Sequence, residues 1–172
     1  MISAENAFRE TERQLVAESE RRILRESIPR IQQCLDMLSH DQIWHRPGPV
    51  CNSIGNLIVH TCGNARQWLL SGISGAPDIR KRSEEFSPDV TSSKEDLIKL
   101  LESLHDDLTL FFSTLRLEDL LHQRKVQVFE ETGLAILIHV IEHMSYHTGQ
   151  ITFYTKLLTG KQTNYYGDIP LE

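Results

Sequence analysis

At 172 residues the chain suits one domain, spanning 1–172, with room for a substantial buried core. Apolar residues make up 40% and charged residues 24%, and the net charge of −6 argues against nucleic-acid binding as the main role. No apolar run approaches the roughly 20 residues of a membrane span, and positions 1–14 lack the apolar core of a secretory signal.

Four long helical segments are expected, without an internal repeat. The first covers about 8–38. Its Leu24, Ile28, Ile31, Leu35 and Leu38 alternate steps of four and three, a seam for packing against other helices. Pro29 falls inside that seam and should bend the helix or mark its real start. Residues 5–25 are dense in Glu and Arg and read as a solvated face. Pro47, Gly48 and Pro49 mark a loop.

The second helix should start near Asn52 or Ser53 and bury Ile54, Leu57, Ile58, Thr61, Ala65 and Trp68, ending at Gly72 or Gly75. Residues 72–91 are a linker long enough for a crossover. Ser92-Ser93-Lys94-Glu95 is a capping-box signature opening a third helix, with Leu97, Leu101, Leu104, Leu108 and Phe111 inside. Residues 126–129 suggest a short extended stretch. The connection over 122–131 is again long enough for a crossover. The fourth helix covers about 132–158, stopped by Gly160, with Ile136, Val140, His143, His147, Ile151, Tyr154 and Leu158 on its inner face. In the tail, Tyr165 and Tyr166 are the side chains expected to dock. These elements predict an all-α four-helix bundle with crossover connections.

Three cysteines, Cys34, Cys51 and Cys62, are too few and too irregular for a disulfide framework and point to a reducing cytoplasm. Cys62 reads as core rather than nucleophile. No phosphate-binding glycine loop and no Gly-x-Ser-x-Gly elbow occurs.

The chemistry-bearing feature is the run Glu142-His143-Met144-Ser145-Tyr146-His147-Thr148-Gly149-Gln150. Residues four apart on a helix share a face, so two imidazoles can converge on one metal ion. His139 extends the row. His139 and His147 lie about 12 Å apart along the axis, too far for one ion, so the pair is His139/His143 or His143/His147. Spacing alone leaves both open. The third ligand must come from another helix, and His60, mid-helix beside the apolar stripe, is the best placed. His40, His45, His105 and His122 stand among polar neighbours in loops or near helix ends. Three histidines leave an open coordination position, as catalytic sites do. Imidazole suits zinc, nickel, iron or copper alike. No Glu follows the first His to serve as a metalloprotease base, and Glu142 points roughly 100° away, where it either supports a ligand from behind or, the favoured reading, is solvated. For any single histidine, a core imidazole bonded to a carbonyl or a tyrosine is the plainer reading. The pair plus His60 favours a metal site.

Asn52-Ser53-Ile54-Gly55-Asn56-Leu57-Ile58-Val59-His60, followed by Gly63-Asn64-Ala65-Arg66-Gln67-Trp68, resembles the second helix of the DinB/YfiT-like superfamily, and the run ending at Gln150 is similar to that group's other signature. The resemblance covers most of the chain in order and spacing. It implies a four-helix bundle whose metal ligands are His60, His143 and His147. His139 then becomes a neighbour that orients a ligand. It further implies a divalent metal, commonly nickel or zinc, and a homodimer. Many relatives carry Arg where this chain has Thr148, which leaves the ligands intact but separates the chain from a shared substrate.

Characterised relatives use a thiol cofactor in transfer or isomerisation, and others are described as metal-dependent hydrolases. The implied function is activation of a low-molecular-weight thiol or water against a small electrophile, without nucleic-acid or membrane partners. Asn56, Asn64 and Gln150 are candidates to orient the bound group, and Arg66 to meet a thiol's carboxylate at the mouth. A non-catalytic stress-related bundle with a structural or vestigial metal, or a helical dimerisation module, is the alternative.

Overall fold

The computed structural model of the protein describes residues 3–87, 91–167 and 169–170. Residues 88–90 of the expected linker and both chain ends lie outside the described residues.

The first rod begins with α1 (Ala4–Glu20), passes through a π-helical segment (Arg21–Ser27) and continues as α2 (Ile28–Met37). Pro29 neither starts nor ends the helix. A proline lacks the N–H that would close the preceding turn, and the wider π register ahead of it absorbs the loss. Ile28 N–H bonds to Ile23 O, and Ser27 Oγ donates to Arg22 O at 3.0 Å. The solvated face carries Arg9–Glu5, Arg13–Glu10 and Arg22–Glu18 pairs.

A short helix that the sequence reading missed, α3 (His40–Trp44), is closed by a Ser39–Gln42 capping box. The second rod is α4 (Ile54–Ala65), capped by Ser53 and extended by a π-helical segment (Arg66–Ile73). The third is α5 (Lys94–Thr114). Its capping box uses Ser93 and Asp96, one residue later than the Ser92–Glu95 pair expected. After α6 (Leu117–Leu121) comes a hairpin of β1 (Gln123–Val126) and β2 (Phe129–Thr132), an antiparallel two-stranded sheet. Of the stretch expected to be extended, 126–129, Val126 ends β1 and Phe129 begins β2, while Gln127 and Val128 form the turn between them. Val126 pairs with Phe129, and Gln127 takes φ 56°. The last rod, α7 (Gly133–Thr159), starts on the Thr132 side-chain cap and stops at Gly160, whose φ of 66° only glycine adopts freely.

Apart from this hairpin, the described residues form an all-α bundle. The first rod packs on α5 and α7, and α4 packs on the same two from the opposite corner. The predicted seams form the core: Ile28, Ile31, Leu35, Ile54, Ile58, Leu97, Leu101, Leu104, Leu108, Ile136 and Val140 are all but fully buried. Each contributes roughly 1.5–3 kcal/mol on leaving water. Tyr165 docks its hydroxyl on Cys34 Sγ at 3.2 Å. Among the described residues no helix is long and apolar enough to cross a membrane.

Helices α4 and α5 run parallel. Trp44 meets both N-termini, its ring over Gly55 and its Nε1 donating to Ser92 O at 3.0 Å. Further along, Arg66 Nε donates to Asp107 Oδ2 at 2.9 Å. Parallel neighbours require the chain to travel back the length of α4. That crossover, with a 3-10 turn at Glu84–Phe86, brings an acid and a base onto the middle of α4.

Candidate metal centre

His60 of α4 and His143 and His147 of α7 meet at the antiparallel α4–α7 seam. One ring nitrogen from each lies within 4.8 Å of the others. His60 Nε2 and His143 Nε2 are 3.0 Å apart. The ring centroids stand at 4.8, 5.1 and 4.4 Å for the pairs 60–143, 60–147 and 143–147. Tetrahedral ligands at about 2.0–2.1 Å from an ion sit roughly 3.3–3.5 Å from one another, so small ring shifts close this cluster on one centre. The donor set fits. Two of the three rings are also held from outside: His60 Nδ1 by Glu85 Oε2 at 2.8 Å, and His147 Nδ1 by Gln150 Oε1 at 2.7 Å. Among the described residues, His143 Nδ1 is buried without a hydrogen-bond partner.

Metal ligation needs neutral imidazole. Burial first, then the neighbouring His147, His60, His139 and Arg80, push His143 down to about 3. Burial also lowers His147, against the bond to Gln150. A shallow open cavity of about 650 Å³ lies beside His143, lined by His139, Glu142, Ser145 and Tyr146 among others.

The other residues singled out in the sequence fall in distinct places. His139 stands one turn away, stacked on Trp68 at 4.0 Å, with Asn64 Nδ2 3.4 Å from its Nε2. Burial lowers its pKa as well. Gln150 touches His147. Asn56 does not face a bound group. Its Oδ1 accepts from Ser53 Oγ and Arg46 Nη2, and its Nδ2 donates to Glu85 O at 2.9 Å. It ties the crossover to the helix cap. Arg66 is committed to Asp107 and Ser103 of α5 and is not the cation at the mouth. His45 bonds to the Tyr154 hydroxyl. Glu142 is exposed, as expected.

Sequence reasoning missed Glu85 and Arg80. Both are buried, at 6% and 5% side-chain exposure, and their ion pair has two contacts, Nε–Oε1 at 2.6 Å and Nη2–Oε2 at 2.8 Å. Burial alone would raise the Glu85 carboxyl, but bonds from Arg80 and His60 outweigh it and hold it below the usual carboxylate value. Phe86, next in the chain, packs on the His60 ring at 4.8 Å, and the Arg82 guanidinium lies 5.3 Å over Phe86. The one available signal was Gly63, a residue without a side chain three positions after His60.

A family model described as a protein of unknown function, DUF1572, matches residues 12–167. The chain belongs to the DUF1572 family. No curated protein matches this DUF1572 member. Solved structures do. A DinB-like protein of Bacillus subtilis shares 17% identity at a TM-score of 0.66, over 86% of this chain and 97% of that one. A DinB-like protein of Bacillus cereus shares 17% identity at a TM-score of 0.60, over 77% and 85% of the two chains. A conserved protein of Enterococcus faecalis shares 18% identity at a TM-score of 0.64, over 86% and 97%. The fold is DinB-like.

Proposed function

We propose that the protein is a metal-dependent enzyme in which His60, His143 and His147 hold one divalent ion, nickel or zinc, and act on a small electrophile. The observation that carries this reading is the convergence of three ring nitrogens within 4.8 Å. A bound ion with an open position lowers the pKa of a coordinated thiol or water and so supplies a nucleophile at neutral pH. Within the chain, Glu85 and Gln150 orient two of the rings, and Phe86 shields His60. A thiol is the favoured nucleophile, because Arg82 stands beyond Phe86 as a cation without an ion pair among the described residues, suited to a thiol's carboxylate.

A second copy of the chain is the proposed partner. Ile138, Tyr146, Phe153 and Leu157 form an exposed stripe along one face of α7, a surface that dimerisation would cover. Three free cysteines suit the cytoplasm.

The rival reading, a non-catalytic bundle with a structural or vestigial metal, gains from the commitment of Arg66 to Asp107. Metal-loaded protein, a panel of small thiols and monochlorobimane separate the two. The enzyme reading predicts conjugation faster than with the His143→Ala protein. Equal rates across thiols and metals favour the rival.

A further inference from the structure

Among the described residues, Glu85 is the carboxylate that hydrogen bonds a ring of the histidine cluster. It arrives from the crossover, 25 residues after His60. A buried carboxylate needs a compensating charge, and Arg80 supplies it at both oxygens. Arg80 is itself tethered to the π-helical segment that extends α4, where its Nη1 donates to Gln67 Oε1 at 2.8 Å and Gln67 Nε2 donates to Asp78 Oδ2 at 2.7 Å. The pair therefore sits rigidly against His60 and adds little net charge.

An ionised carboxylate can only accept a hydrogen bond. The 2.8 Å contact thus puts a proton of His60 on Nδ1, and in the neutral ring that ligates a metal this leaves Nε2 bare. Arg80 Nη2 also approaches His60 Nδ1, at 3.1 Å, but two donors repel, and both reach the same Oε2 at 2.8 Å. The bare Nε2 is the atom that faces His143.

We propose that Glu85, clamped by Arg80, is the positioning residue of the metal centre, holding His60 in the Nδ1–H tautomer with Nε2 presented to the ion. This rests on the metal-site reading above. Carboxylate partners of metal-bound imidazoles orient the ring and raise its basicity, and their loss lowers affinity about 10–100-fold. The plainer role, an anchor fastening the crossover to α4, predicts a loss of stability and nothing at the ring.

The test has two arms. In the first, Ni²⁺ and Zn²⁺ affinities of the wild type and Glu85→Gln are compared by competition with a chromogenic chelator. The proposal expects a 10–100-fold loss in Glu85→Gln. An unchanged affinity in a folded Glu85→Gln protein overturns it. In the second, ¹⁵N spectra of the metal-free wild type read the His60 tautomer directly, without any variant. Protonated Nδ1 and bare Nε2 are expected, and a bare Nδ1 overturns the proposal even where Glu85→Gln fails to fold. A wild type that binds neither ion sinks the metal reading and the proposal's role for Glu85 together. A wild type that binds, with affinity indifferent to Glu85→Gln, sinks the proposal alone.

Discussion

A Cβ on Gly63 would stand 2.3 Å from Glu85 Oε1 and 3.1 Å from Arg80 Nε. Real side chains do not approach so closely, so the absence of a side chain on Gly63 makes room for the buried pair. Gly63→Ala is expected to push Glu85 and Arg80 off α4. Overpacking of this kind costs about 1–3 kcal/mol, and displacing Glu85 should weaken metal binding about tenfold or more. Thermal melts and metal titration of the same preparation check both. A Gly63→Ala protein with wild-type affinity contradicts the link between Glu85 and the cluster.

The metal-free protein should lose stability as pH falls below the ordinary imidazole value of 6.5. His143 is held down to about 3, by burial first and then by its charged and imidazole neighbours. Above 6.5 the folded and unfolded forms are both neutral there. Below it the unfolded chain takes up the proton first, so stability declines, and the loss is complete once the folded imidazole titrates near 3. The slope is at most about 1.4 kcal/mol per pH unit for one group. Melting temperature against pH should be flatter in His143→Phe than in the wild type. Parallel curves contradict the assignment.

The three thiols should differ sharply. Cys51 is exposed, whereas Cys34 and Cys62 are buried. Burial is the main cause that pushes the Cys62 thiol up to about 12, with Glu85 adding and Arg66 opposing. The thiolate is the reactive form. Ellman's reagent should titrate one thiol in the native protein and three after denaturation. Rapid reaction of a second native thiol contradicts this burial and reopens Cys62 as a nucleophile.

The α7 stripe should hold two copies together. Phe153 is 70% exposed and Tyr146 is 64% exposed on the same face. Light scattering at micromolar concentration should give a dimer for the wild type and a monomer for Phe153→Glu, with little change in the melting curve of the monomeric unit. A monomeric wild type contradicts the proposed partner.

Helical periodicity made most of the bundle legible. Leu24, Ile28, Ile31, Leu35 and Leu38 share one face by spacing alone, and all are buried. The histidine row was visible for the same reason, because four-residue steps on a helix are set by backbone geometry. Choosing His147 over His139 was beyond spacing; it required the resemblance, and in the structure Trp68 occupies the ring face of His139. Glu85 and Arg80 were illegible because they sit in a mixed-charge linker with no period, and only the crossover's return along α4 brings them to His60. The π-helical segment before Pro29 was hidden too, since a shift of hydrogen-bond register changes no residue type. Residues 126–129 read as extended because β-branched and aromatic residues dominate them, while tertiary pairing made Gln127 and Val128 the turn.

The central claim is that His60, His143 and His147 form one metal site. Calorimetric titration of Ni²⁺ into metal-free protein tests it most directly, repeated with Zn²⁺ as competitor and with His60→Ala and His143→Ala. The account predicts one tightly held ion per chain in the wild type, displaced by the competitor, and no tight binding in either variant. Equally tight stoichiometric binding in the His143→Ala protein, or none in the wild type, would contradict it.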